Sequence, residues 1–129
     1  MTTPTDSKSI VIDSSGWLEY ITADAKADLF APFFEDQSRI VIPALVLYEV
    51  RKVLLQRYTT TLADNFVSDA LRLRIVPVDE RIALSAAVLG IDYQLSTADA
   101  LIYATCRREK ATLVTSDNHF RELPSVMLV

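Results

Sequence analysis

Short β-branched runs alternate with longer stretches of helical period, and this alternation holds the chain to an α/β fold. The runs at 9–12, 39–42, 74–78, 111–115 and 126–129 are short and apolar enough to be buried strands. Trp17, Leu18, Tyr20 and Ile21 mark a first helix, which either Ser14 or Ser15 can cap. A second helix spans 24–36, with Leu29, Phe30, Phe33 and Phe34 on its apolar side and a kink or break at Pro32. Pro43 suits the first turn of a helix reaching about Tyr58, in which Val46, Leu47, Val50, Val53 and Leu54 share one arc. Residues 59–73 form another, with Leu62, Phe66, Ala70 and Leu73 at core spacing. Pro77 ends the pairing of the third strand early. Asp79 caps a helix that stops at Gly90, a fitting residue just past a helix end. The last helix opens at Ser96 with Asp99 three residues on, the spacing of a capping box, and carries Ala98, Leu101, Ile102 and Thr105. A short helical turn then leads through Pro124 to the final strand. Without a linker, a repeat or a second composition regime, the expectation is a single domain over 1–129, with 1–8 frayed. Its class is α/β, an open parallel sheet flanked by helices on both faces.

Composition removes several functions. Only two glycines, Gly16 and Gly90, are present, so neither a phosphate-binding loop nor a dinucleotide fingerprint can be built. The single cysteine, Cys106, cannot form an internal disulfide and falls near the apolar arc of its helix, as a small core residue would. With no signal-peptide pattern and no apolar run approaching about 18 residues, the chain is expected in the cytoplasm and off the membrane. The net charge of −4 argues against a broad nucleic-acid-binding surface. It leaves room for a local basic patch, or for phosphate held through metal ions.

Four carboxylates occupy informative places. Asp13 and Asp117 end apolar strands, while Glu49 and Asp99 border the core faces of helices. In open α/β sheets, strand ends and helix starts face one crevice. A few carboxylates converging there would suit a hard divalent cation, and without one they would repel and raise one another's pKa. Each acid also has a plainer role: Asp13 in starting a turn, Glu49 in pairing with Lys52, Asp99 in the capping box, Asp117 at the N-terminus of the turn after it. Four such coincidences at one end of one sheet are less common than any one. His119, the only histidine, has no second soft ligand near it in sequence and reads as a surface or rim residue. The aromatic set Trp17, Tyr20, Phe30, Phe33 and Phe34 suits a core, with enough surplus for a partner surface and hence a homodimer.

The four acids sit in four segments: Val-Ile-Asp-Ser-Ser-Gly-Trp-Leu around Asp13, Ile-Pro-Ala-Leu-Val-Leu-Tyr-Glu-Val around Glu49, Ser-Thr-Ala-Asp-Ala-Leu-Ile-Tyr-Ala-Thr around Asp99, and Leu-Val-Thr-Ser-Asp-Asn-His-Phe around Asp117. In order and spacing, these segments resemble the PIN domain, specifically a VapC-type toxin ribonuclease. The resemblance covers residues 10–129. It implies a central parallel sheet and a pocket holding Mg²⁺ or Mn²⁺, lined by Asp13, Glu49, Asp99 and Asp117 and supported by Ser14 and Thr115. It implies cleavage of RNA, a homodimer, and a VapB-type antitoxin covering the pocket. Two places depart from the usual pattern. His119 stands where many relatives have a further acid, and Ser15 where many have Asn, which bears on metal number and preference.

The sequence therefore reads as a metal-dependent endoribonuclease acting as the toxin of a toxin-antitoxin pair. Basic residues that could hold the RNA backbone are Arg51, Lys52, Arg107, Arg108 and Lys110. Which acid acts as general base stays open, because geometry decides that before pKa does. Two other readings compete. A phospho-accepting receiver would need paired acids at the first strand end and a late Lys, but Asp13 has no acidic neighbour and no Lys follows Lys110. A catalytically silent binding module would not need all four acids.

Overall fold

Ile10, Val11 and Ile12 make the first strand, β1 (Ile10–Ile12), and all three are buried, as the β-branched run requires. The computed structural model describes residues 8–129, so the expected fraying of 1–7 lies outside the described residues. The chain continues through α1 (Ser14–Ile21), α2 (Ala27–Phe30), β2 (Val41–Pro43), α3 (Ala44–Arg57), α4 (Thr60–Ala70), β3 (Arg74–Val76), α5 (Glu80–Tyr93), α6 (Thr97–Arg108), β4 (Thr112–Thr115) and β5 (Val126–Leu128). The strands run parallel, as expected, but their hydrogen bonding falls into two pieces, β1-β4-β5 and β2-β3. A single parallel bridge from Ile10 to Ile40 joins the pieces. The spatial order is therefore β3-β2-β1-β4-β5, with the direction of winding reversing between β1 and β4. Ligands of open α/β sheets bind outside the strand ends at such a reversal.

Several expectations change in detail. Residues 24–36 do not form one helix: α2 is one turn, and 3₁₀ turns at Ala31–Phe34 and Gln37–Arg39 follow. Pro32 lies in the first of these, where its missing N–H costs least. Asp13, rather than Ser14 or Ser15, caps α1, accepting the Gly16 N–H at 2.9 Å. Pro43 ends β2, opposite Val76, and stands just before α3 as its N-cap. The helix opened by Asp79 does not stop at Gly90; it runs to Tyr93 and ends at Gln94 in the left-handed conformation (φ 56°). Gly90 serves packing instead. A Cβ there would meet the Ala100 methyl at 3.4 Å, so its lack of side chain lets α5 lie close on α6.

Val46, Val50 and Leu54 of α3, Phe66 of α4, and Ile102, Tyr103 and Ala104 of α6 close over the sheet residues. Cys106 is buried, donates to the Ala111 carbonyl, and burial pushes its thiol up to about 12, leaving it a structural group. Most of the aromatic surplus is core. Trp17, Phe30 and Phe34 are buried, and Trp17 meets Phe34 and Phe66 edge-on at 4.7 and 5.4 Å between centroids. Exposed apolar side chains occur on several elements, Leu29, Tyr48 and Leu71 among them, but the two most exposed, Leu84 at 71% and Ile91 at 79%, share α5 with Val88 at 58%.

Candidate active site

The sheet's winding brings the ends of β1 and β4 side by side, and the first acid follows directly from that. Asp13 is the residue after β1, continues its ladder by donating to the Val114 carbonyl at 3.2 Å, and is only 6% exposed. One carboxylate oxygen accepts from the Gly16 amide at 2.9 Å and the Ser15 hydroxyl at 3.0 Å. The other accepts from the hydroxyl of Thr115, the buried last residue of β4. Thr115 Oγ1 in turn accepts the Asp117 N–H at 2.9 Å. One hydroxyl therefore ties the first and last acids across 102 residues of sequence.

Asp117 opens a 3₁₀ turn (Asn118–Phe120) and accepts the His119 N–H at 2.9 Å. Phe120, buried against Tyr103, anchors the turn, and the Tyr103 hydroxyl donates to the Pro124 carbonyl at 2.7 Å. Asp99 stands in the first turn of α6, its N–H donating to the Ser96 hydroxyl at 3.3 Å. The expected cap is thus present, and the Asp99 carboxylate still reaches the strand ends. One donor atom each from Asp99, Asp117 and His119 lies within 4.8 Å of the others. His119 Nδ1 is 3.3 Å from Asp117 and 3.7 Å from Asp99. Asp13 and Glu49 lie outside this group of three. Glu49, on α3, accepts from the Ser14 hydroxyl at 2.5 Å, one residue after Asp13, so two hydroxyls bind the outer acids to the start of α1.

The electrostatics are those of crowded carboxylates. Burial raises the Asp13 pKa above the usual carboxylate value; hydrogen bonds from Thr115, Gly16 and Ser15 oppose this, and the Asp117 charge adds to it. Burial and then the neighbouring Asp117 charge raise Asp99, with Ser96 and His119 acting the other way. Both acids hold a proton more firmly folded than at their ordinary value of 3.8. Between those raised values and 3.8 the native state binds more protons, so stability rises as pH falls through that window and gains nothing below it. Thermal unfolding in EDTA from neutral pH to about 4 should show the rise, with a smaller one in Asp99→Asn. A flat profile would contradict it.

The donor set fits a divalent cation. Two carboxylates and an imidazole within 4.8 Å are only slightly wider apart than twice a metal–oxygen distance of about 2.1 Å. Sequence reasoning left His119 on the rim. At 77% exposure it is on the rim, yet its ring faces both acids. The available signal was its place, two residues after Asp117 in a turn that Asp117 itself opens.

The basic residues do not gather here. Arg107, Arg108 and Lys110 lie at the far end of α6, about 12 Å of helix rise beyond Asp99. Arg107 donates to the Tyr103 hydroxyl at 3.0 Å and Arg108 pairs with Asp79. Arg51 pairs with Asp64 of α4 at 3.2 Å, and Lys52 lies 5.7 Å from the Tyr48 ring centre rather than pairing with Glu49.

The family model for the PIN domain matches residues 10–126. The chain belongs to the PIN domain family. Solved structures agree on this fold. A toxin-antitoxin complex from Klebsiella pneumoniae superposes with a TM-score of 0.80 at 19% identity, covering 92% of this chain and 96% of that one. VapBC2 from Rickettsia felis, bound to a DNA fragment from its promoter, gives 0.73 at 19% identity over 93% and 96%. The sarcin-ricin loop cleaving toxin VapC20 of Mycobacterium tuberculosis gives 0.67 at 20% identity over 81% and 85%. At these identities the PIN fold is what is shared. Comparison of the sequence with curated proteins gives no match. No helix among the described residues is long and apolar enough to cross a membrane.

Proposed function

We propose that this PIN domain is a metal-dependent endoribonuclease, the toxin of a toxin-antitoxin pair, hydrolysing RNA phosphodiester bonds. The observation that carries the reading is the juncture of Asp13, Thr115 and Asp117 at the β1–β4 reversal, with Asp99 facing it from α6. Asp99 and Asp117 would hold Mg²⁺ or Mn²⁺, with Asp13 and Glu49 completing the acidic pocket. A divalent cation, when bound, neutralises charge on the phosphoryl oxygens and makes water a better nucleophile. The chain's own part is orientation. Thr115, Ser15 and the Gly16 amide fix the Asp13 carboxylate, and Ser14 fixes Glu49, so neither need reorganise during reaction.

Purified protein should cleave RNA with Mg²⁺ or Mn²⁺ and stop in EDTA. Undiminished cleavage in EDTA, with an Asp13→Ala preparation silent as the contaminant control, would overturn the metal-dependent reading. Among the basic candidates, Arg51 and Lys52 are the nearest in sequence to one of the four acids, following Glu49 on α3 beyond Val50, and are proposed to hold the RNA backbone.

The partners follow from the same reading. We propose a cytoplasmic protein silenced by a VapB-type antitoxin, the kind of pairing in which the Klebsiella and Rickettsia relatives were solved. We also propose a homodimer, through α5 rather than the early helices. Leu84, Val88 and Ile91 form an apolar ridge beside a shallow groove floored by Ala83, Ala87 and Gly90. The groove lies between α5 and α6, and a ridge and groove side by side can serve both halves of a twofold interface. Sedimentation should give a dimer that Val88→Lys converts to monomer; a monomeric wild type at tens of micromolar, roughly the range for weak pairs, would remove the proposal.

A further inference from the structure

We propose that His119 supplies a nitrogen ligand to the cation held by Asp99 and Asp117, which turns the site from Mg²⁺ toward first-row transition ions. The inference rests on the metal site proposed above and concerns which ions it selects. Three features carry it.

The first is geometry. His119 Nδ1 lies 3.3 and 3.7 Å from the two carboxylates, within a set whose donor atoms all fall inside 4.8 Å. The second is how the ring is placed. The 3₁₀ turn is capped by the Asp117 carboxylate through the His119 amide itself, and Phe120 anchors it in the core. The backbone beneath the ring is therefore fixed from both sides, while the ring stays 77% exposed and open to an ion arriving from solvent. The third is donor chemistry. Mg²⁺ takes hard oxygen ligands and gives up its waters reluctantly. Imidazole suits Fe, Ni, Cu and Zn, and affinity for mixed nitrogen and oxygen sites rises from Mn²⁺ toward Cu²⁺. Two carboxylates plus one imidazole thus retain enough oxygen character to accept Mn²⁺ and favour Co²⁺ or Ni²⁺ over Mg²⁺.

The chain has one histidine, so any imidazole signal from a bound ion has a single source. The experiment uses the full chain, free of any histidine tag, at about pH 8, where an imidazole is free to ligate. Pulsed electron paramagnetic resonance of the Mn²⁺-loaded protein should show ¹⁴N modulation of the imidazole kind, lost in His119→Asn. Calorimetric titration with Co²⁺ and Mg²⁺ should show the Co²⁺:Mg²⁺ affinity ratio falling on the order of tenfold in His119→Asn, and further in His119→Asp, which restores an oxygen donor. The exposed ring makes both variants safe for folding, and unchanged thermal unfolding without metal will verify this. Mn²⁺ bound at wild-type strength with no ¹⁴N modulation overturns the nitrogen ligand and leaves the carboxylate site standing. Failure of every cation to bind overturns both together.

Discussion

Asp99→Asn is expected to abolish most RNA cleavage while leaving the fold intact. Asp99 has two roles in the structure, and this substitution separates them. Its backbone N–H caps α6 through the Ser96 hydroxyl, a bond that any side chain at this position preserves. Its carboxylate belongs to the group formed with Asp117 and His119. Asparagine keeps the shape but removes an anionic oxygen from a hard cation's ligands, so cation affinity and cleavage should fall by ~10²-fold or more. Metal-free stability should hold or rise, because burial and the Asp117 charge both disfavour ionised Asp99. The measurements are thermal unfolding in EDTA and cleavage across a Mg²⁺ titration. Wild-type cleavage at every Mg²⁺ concentration would leave Asp99 with the capping role alone.

Gly16→Ala is expected to damage the domain far more than Gly90→Ala, whose added Cβ would meet Ala100 only at 3.4 Å. At Gly16 the added Cβ would sit 2.7 Å from Ile12 Cγ2 and 2.7 Å from Phe30 Cε1. Both neighbours are fully buried, in β1 and α2, so neither has solvent into which to move. Overpacking of this kind costs about 1–3 kcal/mol, enough to lower Tm by several degrees. The damage should extend to the site, since the Gly16 amide is one of the donors that fix Asp13. Cleavage should therefore drop even below the transition temperature. A variant with wild-type Tm and wild-type cleavage would show that α1 can slide to make room.

How legible each feature was depended on whether it was local. The strand-ending acids, the cap at Ser96 and the break near Pro32 follow from neighbours in sequence, and they stand where the pattern put them. Gly90 was misread as a terminator because a glycine's meaning depends on what lies against it; the Ala100 methyl on α6 is the reason for it, and no window around Gly90 contains that fact. Asp13 as a helix cap was hidden by two serines that are equally good caps, and only the reach to Gly16 decides among them. The aromatic surplus of the early helices suggested a partner surface, but Trp17 packs edge-on against both Phe34 and the α4 residue Phe66, pairings between segments that periodicity cannot align. The surroundings of the charged end of α6 were hidden for a similar reason. Helical spacing tells which face a residue takes, while the distance of Arg107 and Arg108 from Asp99 lies along the axis.

The bond between the Thr115 hydroxyl and Asp13 also sets when the molecule can work during its own synthesis. β1 emerges from the ribosome well before its neighbour β4, whose first residue Thr112 pairs with Ile10. Until then β1 has only the Ile10–Ile40 bridge beside it, and Asp13 lacks both the Thr115 hydroxyl and Asp117, which follows β4 in the chain. Such long-range pairing forms late and slowly. A chain that stalls or is clipped before Thr115 carries no assembled site, so incomplete products should be inert toward the RNA of the cell that makes them.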